Sequence, residues 1–543
     1  MFKFFNDKIL NGQSRTITSA AVVLALASLA SRFLGLLRDR LLAGQFGAGD
    51  TLDVYYAAFR IPDTVYNLLV LGALSAGFIP VFVGLWREHE GSAKQEVWDF
   101  VNNVLNILGA SLIFIAVIFF IFAPFFVKLI TPGFGADKMN LTVALTRIMF
   151  LSPILLGASS IWGGILQSVK KFLVFSLTPI FYNLGIIGGI LFLVPRFGIY
   201  GLAYGVVLGA LAHMAIQLPS ILALGYKYQP IFNWADSATR RMVKLTVPRI
   251  LTLAVSQLNF LAITILASTL AAGSLAIFDL SYNIYSFPLG ILAGSLAMAA
   301  FPSLVNEVKA QDREGFAQTF SSTFRQMLFL IVPASALFIV LRAQIVRVIL
   351  GTGQFSWQNT ISSIDTLQFL ILGLFAEALN MLLVRGFFAL EDTRTPFWLG
   401  FLSSFVRIGG AWWFSISLGV AGLALGYAVG GIVNMILLWI FLTRKAGSLK
   451  FGEIFVSGIK ILLASVAAGL GAYFAFRLAD KFVDTRTLLG LLAQGMIAGF
   501  AGLMIYFLAG LLLRLSEMQT FWQALKNRLP FKTVVPDKEI IQD

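Results

Sequence analysis

Long, uninterrupted apolar stretches constrain this chain more than any other feature of its sequence. We count fourteen, each long enough for one helical crossing of a bilayer, which takes about 20 residues. Their continuity argues against a membrane β-barrel, whose strands alternate in hydrophobicity over about ten residues. Of the 543 residues, 58% are hydrophobic and only 12% are charged, too few to cover a soluble domain. We therefore expect an all-α integral membrane protein.

Prolines, glycines and clusters of charge separate the fourteen predicted spans. They lie near residues 17–43, 52–85, 98–130, 140–168, 172–195, 199–225, 241–270, 274–305, 318–343, 362–390, 395–417, 420–443, 454–478 and 487–514. Lys and Arg are concentrated in alternate connections, which predicts that both termini are cytoplasmic. The first stretch continues well past Ala30, so we interpret it as an uncleaved helix and not as a signal peptide.

Two fragments of the sequence recur at nearly the same distance along the chain. The four spaced glycines of residues 198–209 reappear in residues 419–430, 221 residues later. Residues 72–80 reappear as residues 294–302, with an offset of 222. Such an offset maps spans 1–6 onto spans 7–12 in the same orientation, which indicates a parallel repeat about an axis normal to the membrane.

The repeat predicts four parts of the chain. Residues 1–225 form an N-terminal lobe of six spans, and residues 226–445 form a C-terminal lobe of six spans. Residues 446–515 hold two additional helices, and residues 516–543 form a polar cytoplasmic tail. Two parallel six-helix lobes are typical of secondary transporters and flippases, in which the substrate lies near the midplane between the lobes.

The composition excludes several kinds of chemistry. The chain contains no cysteine and only two histidines, which rules out disulfides, thiolate metal sites and histidine-rich metal sites. No Walker loop and no His-Glu-x-x-His motif occurs, so we expect neither an enzyme nor a cofactor. The net charge of +14 fits basic cytoplasmic loops and anionic lipids better than nucleic acid. Energy is expected from an ion gradient, the membrane potential or the substrate gradient.

Arginines inside the first span are the first candidates for a binding site, because intramembrane charge costs about 2.5–3.5 kcal/mol on insertion scales. Arg32 and Arg38 lie about 120° apart around a helix and about 9 Å apart along it, which suits one wide cavity. Guanidinium binds phosphate through two hydrogen bonds, so the pair predicts an anion site. In the alternative, Asp39, Asp50 or Asp53 pairs with one of them, or the arginines extend towards the membrane surface.

The second span adds three candidates. Pro62 removes a backbone donor and is expected to kink the helix beside Arg60, which would then line a cavity wall. The alternative for Arg60 is a purely structural ion pair with an aspartate. Asn67 is assigned to the binding site or, alternatively, to contact with another helix.

Polar residues of later spans complete the predicted site. Arg249 in span 7 and Asn283 in span 8 are assigned to substrate binding, although such residues often join one helix to another. In span 10, Glu377 and Arg385 lie two turns apart and form a candidate internal pair. The residues assigned a structural or gating role are Asp39, Asp53, Pro62, Glu377 and Arg385.

Several motifs carry a family resemblance. Residues 31–39 read Ser-Arg-Phe-Leu-Gly-Leu-Leu-Arg-Asp, and residues 385–396 read Arg-Gly-Phe-Phe-Ala-Leu-Glu-Asp-Thr-Arg-Thr-Pro. Together with residues 72–80 and 350–355, they resemble the MviN/MurJ-type lipid II flippases of the multidrug/oligosaccharidyl-lipid/polysaccharide exporter superfamily. The sequence departs from the family pattern at Tyr66, Asn67 and Asn283, where basic residues are often found.

The resemblance implies a substrate and a mechanism. Such flippases move undecaprenyl-pyrophosphate-linked muropeptide from the inner to the outer leaflet by alternating access, in the bacterial inner membrane. Arg32 and Arg38 match the first-helix arginines of the cavity that holds pyrophosphate, and spans 13 and 14 match the groove for the lipid tail. The implied partners are this lipid, membrane lipids and the cell-wall synthesis machinery, with no nucleic acid.

Three alternatives remain open on the sequence. The first is another exporter of the superfamily, moving a different polyprenyl-linked glycan or a cationic drug. A cation exporter would need cavity carboxylates, which are scarce in spans 1–6. The second is a membrane glycosyltransferase, which would need acidic residues on an outer loop. The third is a scaffold for cell-wall assembly, which would tolerate loss of the intramembrane arginines.

Overall fold

The computed structural model describes residues 17–88 and 94–518, and the regular elements of this part of the chain are all helical. The α-helices are α1 (Ile17–Phe46), α2 (Asp50–Val65), α3 (Ile79–Glu88), α4 (Lys94–Ile121), α5 (Ala123–Ile130), α6 (Ala136–Met149), α7 (Leu151–Ser168), α8 (Phe172–Gly188), α9 (Val194–Phe197), α10 (Tyr200–Ala215), α11 (Leu218–Leu222), α12 (Ser237–Ser268), α13 (Ser274–Pro288), α14 (Gly294–Lys309), α15 (Arg313–Ile349), α16 (Trp357–Leu372), α17 (Leu374–Ala389), α18 (Arg394–Leu418), α19 (Val420–Ala446), α20 (Phe451–Ala479) and α21 (Leu488–Leu512). Most of the predicted tail, residues 519–543, lies outside the described residues.

The prediction of an all-α membrane protein is confirmed. Within the described residues, 10 helices are long and apolar enough to cross a bilayer, and up to 11 if the bent pair α16 and α17 forms one span. Predicted spans 1, 2 and 11 are helical as well, in α1, in the run from α2 to α3, and in α18. The crossing of the membrane by these three remains a prediction.

The chain forms two compact units. The first comprises Met1–Phe287, Val346–Gly373 and Thr393–Leu437, and the second comprises Pro288–Ile345, Leu374–Asp392 and Leu438–Asp543. Aromatic side chains such as Phe78 and Phe82 are buried in one apolar core of the first unit. A core of the second unit joins α15, α20 and α21. The four-part division inferred from the repeat remains a prediction.

The repeated glycine fragments have matching local structure. Gly198 ends α9 with φ 58°, and Gly419, its counterpart in the repeat, ends α18 with φ 57°. This left-handed conformation strongly favours glycine, because a Cβ would clash with the backbone. Later glycines permit close helix packing: a Cβ on Gly205 would lie 2.8 Å from Gly189 Cα, and one on Gly426 would lie 2.0 Å from Ala411 N.

One pair of wide π-helical turns occupies corresponding places in the two halves of the repeat, whereas the π turns Leu74–Phe78 and Gly189–Leu193 have no counterpart among the described residues of the second half. Tyr66–Leu71 follows α2, and Leu289–Ala293 follows α13 about 222 residues later. Pro62 lies inside α2 and deprives the Ala58 carbonyl of its helical donor, and the kink expected there remains a prediction. The hydroxyl of Thr146, which donates to the Thr142 carbonyl at 2.8 Å, lies 3.4 Å from the Ala58 carbonyl oxygen, and the helix continues through the proline to Val65.

Candidate functional site

The predicted arginine pair of α1 has two different environments. Arg38 is bound by its own neighbour: Nε and Nη2 donate to Asp39 Oδ1 at 3.0 and 2.8 Å. Its third nitrogen, Nη1, donates to Asn183 Oδ1 on α8 at 3.3 Å. The side chain of Arg38 is therefore fixed and its charge is balanced by a carboxylate.

Besides Arg38, the carboxylate of Asp39 also contacts α13. The residue is 1% exposed, and its second oxygen, Oδ2, accepts from Asn283 Nδ2 at 2.9 Å. The predicted binding residue Asn283 thus holds the carboxylate that neutralises Arg38. Asn183 was missed by the sequence analysis, because an uncharged residue inside an apolar helix gives no distinct signal.

Arg32 and Arg249 keep most of their hydrogen-bond donors. Arg32 is half-buried and makes one long contact, from Nη1 to the Ser286 carbonyl at 3.5 Å. Arg249 on α12 is also half-buried and has no hydrogen bond or ion pair within the described part of the chain. These two guanidinium groups can still bind an anion through several nitrogens.

Arg60 forms an ion pair with an aspartate, which was the alternative to a position lining a cavity wall. Nη2 donates to both carboxylate oxygens of Asp279 at 2.8 and 2.9 Å, and Nε donates to Thr264 Oγ1 at 2.8 Å. The side chains of Arg60 and Asp279 are 12% and 11% exposed. The guanidinium also lies 5.4 Å from the centre of the Phe260 ring. Arg60 therefore joins α2 to α12 and α13.

The polar residues after Pro62 bond locally. Asn67 Nδ2 donates to Asp63 Oδ2 at 2.9 Å, one helical turn earlier. The hydroxyl groups of Tyr66 and Ser160 lie 3.1 Å apart, which joins the π turn to α7. These contacts suit a structural role and leave the amide oxygen and one N–H of the Asn67 side chain for other partners.

Asp53 closes one end of the first compact unit. Its carboxylate accepts from the backbone N–H groups of Gly273 and Ala276, at 2.8 and 2.9 Å, at the start of α13. It also accepts from Lys138 Nζ at 2.8 Å, and Lys138 reaches Asp50 at 2.7 Å. One carboxylate thus ties α2 to α6 and α13, and the structural or gating role of Asp53 remains a prediction.

Two glycine-containing turns close the same end. Gly353 has φ 54°, and a Cβ there would lie 2.1 Å from the Gly44 carbonyl oxygen at the end of α1. The next residue, Gln354, donates its N–H to that oxygen at 2.8 Å. Gly133 approaches the end of α12 as closely: a Cβ added to Gly133 would lie 2.2 Å from the Ser268 carbonyl oxygen. The backbones here are in contact and leave no room for side chains.

Two further arginines within apolar helices have distinct environments. Arg407 on α18 lies over the Tyr427 ring, 3.9 Å from its centre, a partner that the sequence did not reveal. In the second compact unit, Arg385 is half-buried, and its Nη1 is buried without a hydrogen-bond partner among the residues that the structure describes. Glu377 lies two turns earlier on the same helix, α17. The gating role of this pair remains a prediction.

The fold is similar to those of two solved structures. A solved structure described as the inward-facing conformation of a multidrug resistance MATE family transporter of the MOP superfamily has a TM-score of 0.65 at 16% identity, over 79% of this chain and 99% of that one. A structure described as "Lipid II flippase MurJ, inward closed conformation" reaches a TM-score of 0.75 at 24% identity, over 93% of this chain and 100% of that one.

The sequence places the chain in a protein family. The profile of the family described as "Lipid II flippase MurJ" matches residues 42–492, and the chain belongs to that family. A Vibrio cholerae protein described as "Probable lipid II flippase MurJ" is 29% identical over 437 residues, 78% of this chain and 83% of the relative. A Rhizobium tropici protein with the same description is 28% identical over 521 residues, 93% and 96% of the two chains.

Proposed function

We propose that this chain is a flippase that moves lipid II, the undecaprenyl-pyrophosphate-linked muropeptide, from the inner to the outer leaflet of the bacterial inner membrane. Membership of the family supports the substrate class. The half-buried arginine Arg32 supports it chemically, since a pyrophosphate needs cationic donors inside the membrane. The chain acts as a transporter and not as an enzyme.

Arg32 is the observation that carries this proposal. Its one hydrogen bond is long, and its remaining nitrogens are available to phosphate oxygens. Arg249 is the second candidate, because it too has no ion-pair partner among the described residues. Arg38 and Arg60 act in a different way: each neutralises a buried carboxylate and holds helices together. Asn67 and Asn283 support this framework.

In alternating access, the end of the first compact unit that Asp53 ties together would have to open. The predicted cytoplasmic N-terminus makes this the extracytoplasmic end, because α1 ends there at Phe46. Opening it requires Asp53 to release the start of α13, and the turn at Gly353 to part from Gly44. Movement of the two six-span lobes would supply this change, while α20 and α21 shelter the polyprenyl tail.

Other parts of the proposal concern energy and partners. We expect no cofactor, and energy from an ion gradient, the membrane potential or the substrate gradient. The released lipid is the substrate of the enzymes that polymerise the cell wall, so that machinery is the proposed partner.

Reconstitution tests the substrate. Vesicles containing the chain are loaded with fluorescent lipid II or with a fluorescent polyprenyl-pyrophosphate that carries a different glycan, and a membrane-impermeant quencher reports transfer. We expect transfer of lipid II above that of protein-free vesicles. Transfer of the other glycan alone would favour the alternative of an exporter for a different polyprenyl-linked glycan. No transfer by folded protein would favour the scaffold.

A further inference from the structure

A polar pocket is formed by residues that are far along the sequence from the proposed lipid II site. It belongs to the second compact unit, where α15, the start of α20 and the segment after α21 meet, and its volume is about 400 Å³. Charged side chains line it, among them Arg325 on α15 and Lys460 on α20. None of these residues contributes to the site around Arg32, so the pocket needs an explanation of its own.

Two carboxylates bind Arg325 but leave one of its nitrogens without a hydrogen bond among the described residues. Nη1 donates to Glu517 Oε1 at 3.2 Å and to Ser516 Oγ at 3.3 Å, and Nη2 lies 3.4 Å from Glu453 Oε2. The remaining nitrogen, Nε, is buried and has no hydrogen-bond partner in the described part of the chain. The Glu517 side chain is 3% exposed, and its second oxygen, Oε2, also has no partner in residues 17–88 and 94–518.

A third buried polar atom belongs to the same pocket. Ser457 on α20 is 6% exposed, and its hydroxyl makes no hydrogen bond within the part of the chain that the structure describes. Buried polar atoms without partners are rare, and each costs free energy of folding. Here a donor, Arg325 Nε, an acceptor, Glu517 Oε2, and a hydroxyl occur together. This combination suits a ligand that has hydrogen-bond acceptors on one side and a donor on another.

The charge of the pocket favours an anionic group. Arg325, the half-buried Lys460 and the exposed Arg514 face two carboxylates, so the cations are in excess. Arg514 has a positive φ of 51° where the chain leaves α21, a conformation that glycine adopts at lower cost. A phosphodiester group would complete the hydrogen bonds of these cations.

The surroundings identify the source of the phosphodiester. Phe455 and Val456 on α20 are each 55% exposed, and Leu511 and Leu512 at the end of α21 are 64% and 84% exposed. In a membrane protein these faces contact acyl chains. A lipid phosphate can therefore lie in the pocket while its chains contact these exposed side chains at the start of α20 and the end of α21.

We propose that this pocket binds a phospholipid whose head group carries a hydrogen-bond donor. The phosphate contacts Arg325 Nε, Lys460 and Arg514, and the donor of the head group contacts Glu517 Oε2. Phosphatidylglycerol has hydroxyl groups and phosphatidylethanolamine has an ammonium group, so both fit. Phosphatidylcholine has a phosphate and no donor, so it leaves Glu517 unsatisfied.

The test uses the full-length chain in detergent after removal of co-purified lipid. The three phospholipids, with identical acyl chains, and inorganic phosphate are titrated while native mass spectrometry counts bound molecules. We expect phosphatidylglycerol and phosphatidylethanolamine to bind about tenfold more tightly than phosphatidylcholine, the effect of one charge-assisted hydrogen bond. Inorganic phosphate should not bind, because it has no acyl chain.

Two variants locate the site. Arg514→Gly removes a cation and relieves a positive φ, so the variant should fold, and Lys460→Gln removes a second cation. Each should weaken binding of the two favoured lipids about tenfold. Lys170→Gly is the matched control, because Lys170 is an exposed cation with φ 62° outside the pocket. Equal binding of phosphatidylcholine, binding of free phosphate, or unchanged binding in both variants would overturn the proposal.

Discussion

Arg60 and Asp279, 219 residues apart in sequence, form a doubly hydrogen-bonded ion pair that is almost closed to solvent. Arg60→Met alone would leave a buried, unpaired carboxylate, which costs about 3–5 kcal/mol of stability. We expect a large fall in the temperature of unfolding in detergent. Arg60→Met combined with Asp279→Leu should restore most of the stability, and a double variant as unstable as the single one would contradict the structural role.

Arg38 and Asp39 form a second ion pair, so a change at Arg38 can reduce transport through a loss of stability. Arg38→Ala leaves the buried carboxylate of Asp39 without its main partner, so the variant should lose stability as well as transport. Arg38→Ala with Asp39→Asn should regain the unfolding temperature. If transport returns with it, Arg38 acts through Asp39. If stability returns and transport does not, Arg38 binds the substrate directly.

The closed end should respond to Asp53→Asn. This change removes the charge that binds Lys138 and keeps the size of the side chain, so the contact with α13 weakens. The chain has no native cysteine, so Ala48→Cys provides a single probe at a buried position beside Gly273. We expect a membrane-impermeant maleimide to label Ala48→Cys faster when Asp53→Asn is also present. Equal labelling rates would show that Asp53 does not hold this end closed.

Gly353 should be intolerant of a side chain. Gly353→Ala combines a positive φ with a Cβ 2.1 Å from the Gly44 carbonyl oxygen, so the turn must move away from α1. We expect a lower unfolding temperature together with faster labelling of Ala48→Cys. Gly35→Ala is the control: an added Cβ there has nothing within 4 Å, and alanine favours helix by about 1 kcal/mol. A matching loss of stability in both variants would refute the clash.

The sequence predicted the all-helical architecture and the local symmetry because these depend on patterns along the chain. Apolar length identifies a helix, and repeated glycines identified two helix ends whose φ values agree within a degree. The partners of charged residues were harder to predict, because periodicity does not show which helix faces meet. Asn183 lies 145 residues from Arg38, and Tyr427 gave no signal as the partner of Arg407.

The same limit explains the assignment of the arginines. In sequence, Arg32, Arg38 and Arg60 are alike: each is a cation inside an apolar stretch. In the structure, Arg38 and Arg60 have carboxylate partners, and Arg32 has one long contact with a carbonyl group. Only the folded chain separates a cation that stabilises helices from one that remains available to a substrate.

The most direct test of the account is lipid II transfer in vesicles by Arg32→Ala and Arg32→Lys. Arg477→Ala, which removes an exposed arginine of α20, is the control. We expect Arg32→Ala to keep the wild-type unfolding temperature, since it loses one weak hydrogen bond, and to lose transfer. Arg32→Lys should retain part of the activity, because it keeps the charge without the two-nitrogen contact. Wild-type transfer by Arg32→Ala would contradict the central claim that this arginine binds the pyrophosphate.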